Sequence, residues 1–585
     1  MLPLTRFEVP RRLRAIVRAR ETSLVVLACG VGVVGGVVVA GMSRAVDLLH
    51  ALFFGVQPGQ RLSGHFSIDP LYAVMVPLLG GLVLGLVNAL IARRASGPVV
   101  DPIEANALRG GNMSVPGSAL VAAQTVWSSG VGASVGLEAG YTQLASGIAS
   151  WIGQAFRLRR GDLRVLVGCG AAAGIAGAFG APLAGAFYAF ELIIGSYSVP
   201  SLAPVGMSAL VGYLVARSLT PSPLGIFVID MKAVGAEDLA LAAVVGLLAA
   251  GFGIALMRTV AACETLFARA RVRPPVRTAI GGLAVGLMAL VSPQIMSSGH
   301  GALRLASVLD RPLKIIAIVF ALKALASAIS LGSGFRGGLF FASLLLGALG
   351  GSLFATALIA VWPGLWLDVN AYAVIGMAAL SVSVIGGPLT MMFIVIETTG
   401  DFSLTLAVLV AVIVSAQVTR ETFGYSFTTW RFHLRGETIR SAADVGWIRD
   451  LTVGRMMRHD VRTVPAATPL AIFRETFALG STSRVVAVDA EGRYAGIVVV
   501  AEAHAPELAE AATVRGLLRH PGDLLLPEMT IKSAIAAFDR TEAEALAVVD
   551  SLDRRRVIGL LTEAHALRRY AEAMELRRRD LIGVA

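Results

Sequence analysis

Charge and cysteine are both scarce in this chain, and their scarcity excludes several classes of protein. Only 15% of the 585 residues are charged, whereas soluble globular proteins average about 25%, so an ordinary soluble enzyme is excluded. Three scattered cysteines do not make a disulfide scaffold. The sequence has neither a His/Cys cluster with metal-ligand spacing nor a glycine-rich lysine loop for phosphates. We therefore expect no metal site, no required cofactor and no enzymatic activity.

Apolar residues and glycine, in contrast, are abundant. Hydrophobic residues make up 56% of the chain, mean hydropathy is +0.74, and glycine occurs 64 times. Apolar runs recur from about residue 22 to residue 420, and glycines interrupt many of them. Broken helices are tolerated at membrane depth only where protein buries them or a cavity adjoins them. The composition therefore predicts a polytopic helical membrane protein with closely packed, interrupted helices.

The charges that are present divide the chain into three parts. The first 20 residues carry six arginines and one glutamate, and such a basic segment favours the cytoplasmic side of a membrane. Residues 446–585 hold 38 charged residues, 19 of each sign, which predicts a separate soluble domain. We expect a basic cytoplasmic segment (1–21), a membrane domain (22–440) and a cytoplasmic C-terminal domain (446–585). The expected location is the cell (inner) membrane, with both termini cytoplasmic, lipid as a partner and no nucleic acid.

The predicted membrane domain contains an internal repeat, with halves at about 22–217 and 238–430. One pair of matching motifs is GAPL at 180–183 before Glu191 and GGPL at 386–389 before Glu397. The proline-to-glutamate spacing is nine in both motifs, and the offset between them is 206 residues. Matching glycine-interrupted segments in two halves indicate the binding site of a transporter.

Residues 132–140 (GASVGLEAG) combine a glycine-rich break with the start of an apolar helix. A helix that begins inside the membrane directs free N–H groups and the positive end of its dipole at the break, which suits an anion. The matching segment, residues 334–341 (GFRGGLFF), would direct a second helix start to the same point. Two converging helix starts favour a monovalent anion, because a cation would need carboxylate or carbonyl oxygens.

Glu138 is a carboxylate at the predicted anion site. An ionisable side chain within a membrane segment is a functional candidate. As a mimic of the anion it would block the site, and on protonation it would vacate it, which predicts a gate and a candidate proton carrier. The alternative is that Glu138 only caps the start of its own helix.

These segments resemble motifs of the CLC chloride channel and chloride/proton exchanger family. Residues 136–140 (GLEAG) are similar to its Gly-Arg-Glu-Gly-Pro motif, residues 338–340 (GLF) to its Gly-x-Phe-x-Pro motif, and residues 174–185 to the segment after the gating helix. The resemblance covers roughly residues 20–430. It implies a homodimer with one ion pathway per subunit, built from two inverted halves and gated by Glu138. The anion-binding positions that it implies are Ser96, Gly136, Leu137, Leu339, Phe340, Phe341 and Tyr425.

The selectivity motif of the family, Gly-Ser-Gly-Ile-Pro, is reduced here to residues 96–98 (SGP). Ser96 is the candidate for a serine that generally favours chloride over nitrate in the family. Residues 101–104 (DPIE) allow another alignment, and a loop or capping role for Ser96 stays open.

Two further positions, Arg336 and Tyr425, have alternative interpretations. Leu137 stands where the gating motif has arginine, and Arg336 is a candidate for the missing cation unless it faces lipid headgroups. Tyr425, which would supply a hydroxyl to the anion, could instead be an aromatic anchor at the membrane interface.

Leu192 is the departure with the largest consequence for function. Exchangers of the family commonly carry a second, proton-passing glutamate one residue after the position of Glu191, and leucine cannot carry a proton. This favours a passive voltage- or pH-gated chloride channel, or a weakly coupled exchanger that also moves protons or other small anions. Glu191 is expected to pair with polar groups of its own helix. The alternatives are a coupled chloride/proton antiporter, and a cation-coupled solute carrier with Glu138, Glu191 and Glu397 as cation ligands.

The C-terminal domain contains a second repeat. Residues 453–459 (VGRMMRH) are similar to residues 514–520 (VRGLLRH), and each is followed by a predicted helix and two short β-branched runs. The predicted strands are 484–488, 494–500, 545–549 and 557–561. Two such units, at about 450–505 and 511–573, resemble the pair of CBS domains that follows the membrane domain in many CLC proteins.

Pairs of CBS domains often bind adenine nucleotides through a Ser/Thr-x-x-Asp ending. Here Thr562 is followed by His565 in place of the aspartate, so these two residues are candidate contacts within a degenerate pattern. A structural or dimerising role is the favoured alternative. Together the features predict an all-α polytopic membrane domain of two inverted-topology repeats with broken helices, followed by a small α/β tandem CBS domain.

Overall fold

The structure is a computed structural model that describes residues 10, 14, 21–57, 60–93, 99–220, 235–304, 312–434, 451–505 and 512–582. The chain divides into two compact units, Met1–Asp444 and Val445–Ala585. The division lies between the predicted membrane and C-terminal domains. Ser96 and most of the basic N-terminal segment lie outside the described residues.

The apolar sequence of the first unit folds into a series of helices. They are α1 (Glu21–Phe54), α2 (Pro70–Ala92), α3 (Pro102–Leu108), α4 (Val115–Gly130), α5 (Glu138–Ala155), α6 (Arg160–Phe179), α7 (Pro182–Tyr188), α8 (Val199–Leu219), α9 (Ala236–Arg269), α10 (Pro274–Ala289), α11 (His300–Arg304), α12 (Leu313–Ser333), α13 (Phe340–Val361), α14 (Val369–Ile385), α15 (Pro388–Thr399), α16 (Phe402–Thr422) and α17 (Phe427–Leu434). A π-helical turn, Ala189–Ile194, continues α7. In the described part of the chain, eight helices are long and apolar enough to cross a membrane, as expected for a membrane protein.

The two predicted halves form matching series of helices. Helices α1 and α9, which open the two series, are both 34 residues long. Helices α6 and α14 both end at a glycine in the left-handed region, Gly180 with φ +69° and Gly386 with φ +90°. A proline then opens the next helix of each half, α7 and α15. The shared Gly-x-Pro-Leu motif is therefore a helix break, because glycine ends one helix and proline suits the first turn of the next.

Glycines also bring helices of each half into backbone contact. A Cβ atom on Gly170 of α6 would lie 2.6 Å from the carbonyl oxygen of Ala145 on α5, and one on Gly376 of α14 would overlap with the backbone of Gly347 on α13. Small residues permit this close approach of membrane helices. As a result α5 and α13, which carry the two predicted site segments, are held tightly by α6 and α14.

The C-terminal unit is a small α/β unit with two related halves. Its elements are α18 (Val453–Met456), β1 (Thr463–Pro465), α19 (Leu470–Thr476), β2 (Arg484–Val488), β3 (Tyr494–Val499), α20 (Val500–Ala503), α21 (Ile531–Thr541), β4 (Ala545–Val549), β5 (Val557–Thr562) and α22 (Glu563–Ile582). β1 runs parallel to β2, β2 pairs antiparallel with β3, and β4 pairs antiparallel with β5. The four predicted strands are confirmed to within one residue, because alternating β-branched runs bounded by turns define strands strongly.

The two halves of the C-terminal unit exchange their first segments. Val453, which opens the first half, lies in one apolar cluster with Ile531 of the second half. Val514, which opens the second half, lies in a cluster with Phe473 of the first. The repeated segments 453–459 and 514–520 therefore complete each other's cores, and the unit folds as one body.

Candidate anion pathway

Two broken helices meet at the predicted anion site. The chain leaves α4 at Gly130 and starts α5 at Glu138, and it leaves α12 at Ser333 and starts α13 at Phe340. The two breaks pair with each other: the N–H of Gly136 donates to the carbonyl of Gly338 at 2.9 Å, and the N–H of Gly338 donates to the carbonyl of Gly136 at 3.1 Å. This antiparallel pairing brings the starts of α5 and α13 together.

Neither helix start is capped by the side chain that precedes it. The residues at the N-cap positions of α5 and α13 are Leu137 and Leu339, and apolar side chains cannot accept a hydrogen bond. The first N–H groups of a helix have no intrahelical acceptor, and they carry the positive end of the helix dipole. The meeting point therefore favours a negative charge.

Serine side chains fix the break before α5 against α12. The N–H of Ser134 donates to Oγ of Ser330 at 3.0 Å, and the hydroxyls of Ser134 and Ser327 lie 3.0 Å apart. On the other break, the N–H of Arg336 donates to Oγ of Ser128 at 3.1 Å. These contacts satisfy backbone groups that an irregular segment would otherwise leave unpaired within the membrane.

The carboxylate of Glu138 occupies the meeting point. The side chain is only 3% exposed, and a Cβ atom on Gly136 would overlap with its carboxylate, while one on Gly338 would lie 3.3 Å from Oε2. Neither carboxyl oxygen makes a hydrogen bond of standard geometry within the described residues. The backbone N–H groups of Glu138 itself, at the start of α5, and of Phe341 attract the carboxylate, and so does the ammonium group of Lys323. Glu138 thus lies where the sequence predicts an anion.

The side chains of the Gly-Leu-Phe segment pack into the protein core. Leu339, Phe340 and Phe341 are at most 3% exposed. The ring of Phe179 lies 4.7 Å from that of Phe340 and 5.5 Å from that of Phe341, and His300 stacks on Phe341. Packing fixes the start of α13, so only its backbone is available to an anion.

A cavity of about 240 Å³ adjoins Glu138. Of the residues singled out from the sequence it is lined by Glu138, Leu192, Arg336, Leu339 and Phe340. Gly136 contacts the Glu138 carboxylate from the adjacent break, and Leu137 is buried at 1% exposure. The geometry thus brings the gate candidate, both helix starts and Leu192 to one space.

The cavity is also lined by polar and charged residues that the sequence reasoning did not assign to the site: Asp101, Glu104, Thr125, Thr142, Gln143, Tyr188, Thr428 and Arg431. The alternative alignment of residues 101–104 pointed to Asp101. Its carboxylate accepts the N–H of Glu104 at 2.9 Å and caps α3. The repeat gave no signal for Tyr188, because the matching position, 206 residues later, is the apolar Ile394.

Tyr425 is not among the residues that line this cavity, so its role as the hydroxyl donor to the anion stays a prediction. Its hydroxyl lies 3.1 Å from Nδ1 of His433, and its ring contacts Trp430 and Phe423. It belongs to an aromatic cluster at the start of α17, whose Phe427 and Thr428 face the cavity instead. The sequence reasoning had singled out neither Phe427 nor Thr428, which open α17.

Leu192 lies on the π-helical turn and lines the cavity beside Ile193. It packs with the apolar cluster that contains Ile103 and Phe432. The carboxylates among the described lining residues are Asp101, Glu104 and Glu138, and Glu104 is paired with Arg109 at 3.0 Å. None of these three carboxylates belongs to the π-helical turn that carries Leu192.

Glu191 and Glu397 cap helices of the opposite half, so the expectation that Glu191 pairs within its own helix is wrong. The oxygens of Glu191 accept the N–H groups of Leu389 and Thr390, each at 2.9 Å, at the start of α15. Those of Glu397 accept the N–H groups of Leu183 and Ala184, at 2.8 and 2.9 Å, at the start of α7. The sequence of a helix shows that the helix carries a carboxylate. It does not show which other helix begins opposite that carboxylate in space.

The two candidate nucleotide contacts lie at the start of α22 in the C-terminal unit. Oγ1 of Thr562 accepts the N–H of His565 at 3.4 Å and so caps this helix. Burial, together with the nearby Arg568 and Arg458, lowers the pKa of His565 below its usual range. His565 therefore stands neutral among cations at neutral pH, where a binding aspartate would be charged.

Comparison with known proteins agrees with this geometry. The family model described as voltage gated chloride channel matches residues 79–420. The voltage-gated ClC-type chloride channel ClcB of Escherichia coli O81 (strain ED1a) is 31% identical over 402 residues, which is 67% of this chain and 94% of that protein.

Two solved structures share the fold. One, of a slow cyanobacterial Cl⁻/H⁺ antiporter, has 22% sequence identity and a TM-score of 0.59, and covers 70% of this chain and 97% of that one. The other, of a eukaryotic CLC transporter, has 18% identity and a TM-score of 0.57, and covers 94% of this chain and 98% of that one. The fold class predicted from the sequence is thus confirmed. The paired helix breaks, the family model and the ClcB relative lead to one conclusion: the chain belongs to the voltage-gated chloride channel (CLC) family.

Proposed function

We propose that the protein carries chloride across a cell membrane through a pathway gated by Glu138. Membership of the CLC family makes chloride transport its general activity. The observation that carries the gating proposal is the convergence of two uncapped helix starts on one buried carboxylate. Backbone N–H groups at the starts of α5 and α13 would bind the anion after the carboxylate leaves.

Protonation of Glu138 is the proposed opening step. The charged carboxylate is held between the positive ends of α5 and α13 and excludes a second anion. When the carboxyl group takes up a proton, that attraction is lost, the side chain moves away, and chloride takes its place. Transport should therefore increase as the pH falls.

Leu192 supports a passive channel or a weakly coupled exchanger. A proton that reaches Glu138 from the cavity would have to travel over water or from another carboxylate, because leucine has no group to carry it. Coupled chloride/proton antiport is the alternative. The named relatives include both a channel and an antiporter, so only measurement of this protein separates the two modes.

The deciding experiment records chloride and protons together. Purified protein in lipid vesicles should release chloride when valinomycin and a potassium gradient supply the driving force. An active preparation that moves no chloride would reject the proposed function. A chloride gradient that drives no proton movement would establish a channel, and uphill proton movement would establish exchange.

A cation-coupled solute carrier is the less favoured function, because Glu191 and Glu397 are used as helix caps rather than as cation ligands. It predicts a sodium requirement, which the same vesicles can test. We further propose that the protein is a homodimer in the inner membrane with cytoplasmic termini, and that it is not an enzyme. Cross-linking in mild detergent and protease accessibility of the C-terminal unit in oriented vesicles test the assembly and the orientation.

A further inference from the structure

Lys323 is an ammonium group buried in the middle of the membrane unit. It lies on α12 and is 0% exposed. Its Nζ donates to the carbonyl oxygens of Ile295 at 3.0 Å and Ser297 at 2.9 Å. Among the described residues it takes part in no ion pair with a carboxylate. Burial of a charge is costly unless an opposite charge compensates it, so a negative charge nearby favours the ammonium form of Lys323.

Lys323 lies on the same face of α12 as the serines that bind the break before α5. Lys323, Ser327 and Ser330 are spaced at i, i+4 and i+7, which places them on one side of α12. Both serines bind Ser134 in the break before α5. The ammonium group is therefore built into the same packed surface as the backbone of the anion site.

The loop that receives the ammonium group is also tied to that break. The N–H of Ser297 donates to the carbonyl of Gly132 at 3.2 Å, and the hydroxyls of Ser297 and Ser129 lie 2.7 Å apart. Lys323 thus has a fixed position relative to the start of α5. It attracts the Glu138 carboxylate electrostatically without touching it.

Arg336, the cation that the sequence singled out for this role, is placed differently. Its side chain is exposed, and it lines the cavity beside the gate rather than the buried surface behind the break. An exposed charge is screened by solvent, whereas a buried one acts through a medium of low dielectric constant. Lys323 is therefore the stronger electrostatic partner for a charge at the meeting point.

We propose that Lys323 is the fixed positive charge for which the Glu138 carboxylate and the transported anion compete. When Glu138 is charged and in place, it supplies the negative charge that Lys323 lacks. When Glu138 is protonated and has left, the anion supplies it. Lys323 is thus a positioning residue: its charge favours the presence of one negative charge at the meeting point, either the Glu138 carboxylate or the anion. This inference rests on the proposed function.

Substitution of Lys323 by neutral residues tests the inference. Lys323→Met removes the charge at similar length, and Lys323→Gln also keeps a donor for the two carbonyls. We expect each to weaken chloride binding, measured by calorimetry on the purified full-length protein, by about 10-fold or more. Lys323→Arg should retain binding. Lys314→Met is the matched control, because Lys314 is an exposed lysine on the same helix, and it should bind chloride as the wild type does.

The Glu138→Gln background separates an electrostatic role from a structural one. In that variant the competing carboxylate is gone, so chloride should bind more tightly than in the wild type, and addition of Lys323→Met should abolish this gain. Monodisperse elution and an unchanged melting temperature establish folding. Folded Lys323→Gln protein with wild-type chloride affinity in both backgrounds would overturn the inference. Absence of chloride binding and flux in the wild type would instead overturn the proposed function.

Discussion

At the scale of single residues, the site depends on very few side chains. The anion would meet backbone N–H groups, and the side chains of Leu339, Phe340 and Phe341 only hold the backbone in place. One carboxylate, Glu138, lies at the meeting point, and one buried ammonium, Lys323, attracts it. Because the site is buried and has a low dielectric constant, each of these charges interacts with its neighbours more strongly than it would in water.

Glu138→Gln should remove the pH dependence of chloride flux. Glutamine has nearly the shape of the protonated acid and carries no charge at any pH, so it cannot be held between the helix starts as a charged carboxylate is. Flux at pH 7 should then equal that of the acidified wild type, measured as chloride efflux from vesicles between pH 4 and pH 8.

Glu264→Gln is a suitable control for this experiment. Glu264 is an exposed carboxylate near the end of α9, and its loss should leave the pH profile unchanged. If Glu138→Gln kept the wild-type profile, Glu138 would be only the cap of α5.

At the scale of elements, the two halves are joined by an exchange of helix caps. Glu191 of the first half caps α15, and Glu397 of the second half caps α7. Each carboxylate replaces a missing local cap, since the residues before both helices, Ala181 and Gly387, have no capping side chain. Each half contributes a glutamate from the same repeat position, and each glutamate caps the matching helix of the other half. Two halves related by a two-fold axis can make such a reciprocal pair of contacts.

Glu191→Ala and Glu397→Ala should each destabilise the membrane unit by about 2 kcal/mol. Each change leaves two N–H groups of a helix start without acceptors and removes a charge-assisted cap. Thermal unfolding in detergent, followed by tryptophan fluorescence, measures the loss. Because the caps are reciprocal, the two variants should lower the melting temperature by similar amounts.

Glu264→Ala again provides the comparison, because the side chain of Glu264 is exposed. A wild-type melting temperature for Glu191→Ala would show that this cap does not stabilise the fold. Loss of chloride transport at unchanged stability would instead indicate that Glu191 acts directly in the pathway.

At the scale of the whole molecule, the chain is a CLC membrane unit followed by a small α/β unit of two interleaved halves. The second unit carries the small α/β fold expected of a CBS pair. The place where nucleotide-binding pairs usually have aspartate holds His565, near Arg458 and Arg568. A neutral imidazole cannot accept hydrogen bonds from both hydroxyls of a ribose as a carboxylate does.

Adenine nucleotides should not bind the full-length protein with measurable affinity. We expect no heat of binding for ATP or AMP in titration calorimetry at neutral pH and no rise in melting temperature. His565→Asp restores the usual acceptor and serves as the comparison variant. Saturable binding of ATP or AMP to the wild type would contradict this prediction and would make nucleotide regulation the role of the second unit.

Much of the fold follows from the sequence. The break between α6 and α7 and that between α14 and α15 follow from Gly180, Pro182 and their repeat partners, because left-handed glycine and N-terminal proline act locally. The strands of the second unit follow from alternation of β-branched residues for the same reason. The exchange of caps by Glu191 and of segments by Val453 and Val514 could not be predicted, because each depends on which elements meet in space.

The sequence by itself determined the family, the repeat, the two uncapped helix starts and the carboxylate of Glu138, since these are properties of local order and spacing. Only the tertiary structure decided what surrounds them. It left Tyr425 out of the cavity lining and included Thr428, directed Glu191 to the opposite half, and buried Lys323 on the face of α12 that holds the break before α5. The physical reason is that a charge or hydroxyl acts over a few ångströms of space, and the chain between two neighbours in space can be about 200 residues long, as between Glu191 and Leu389.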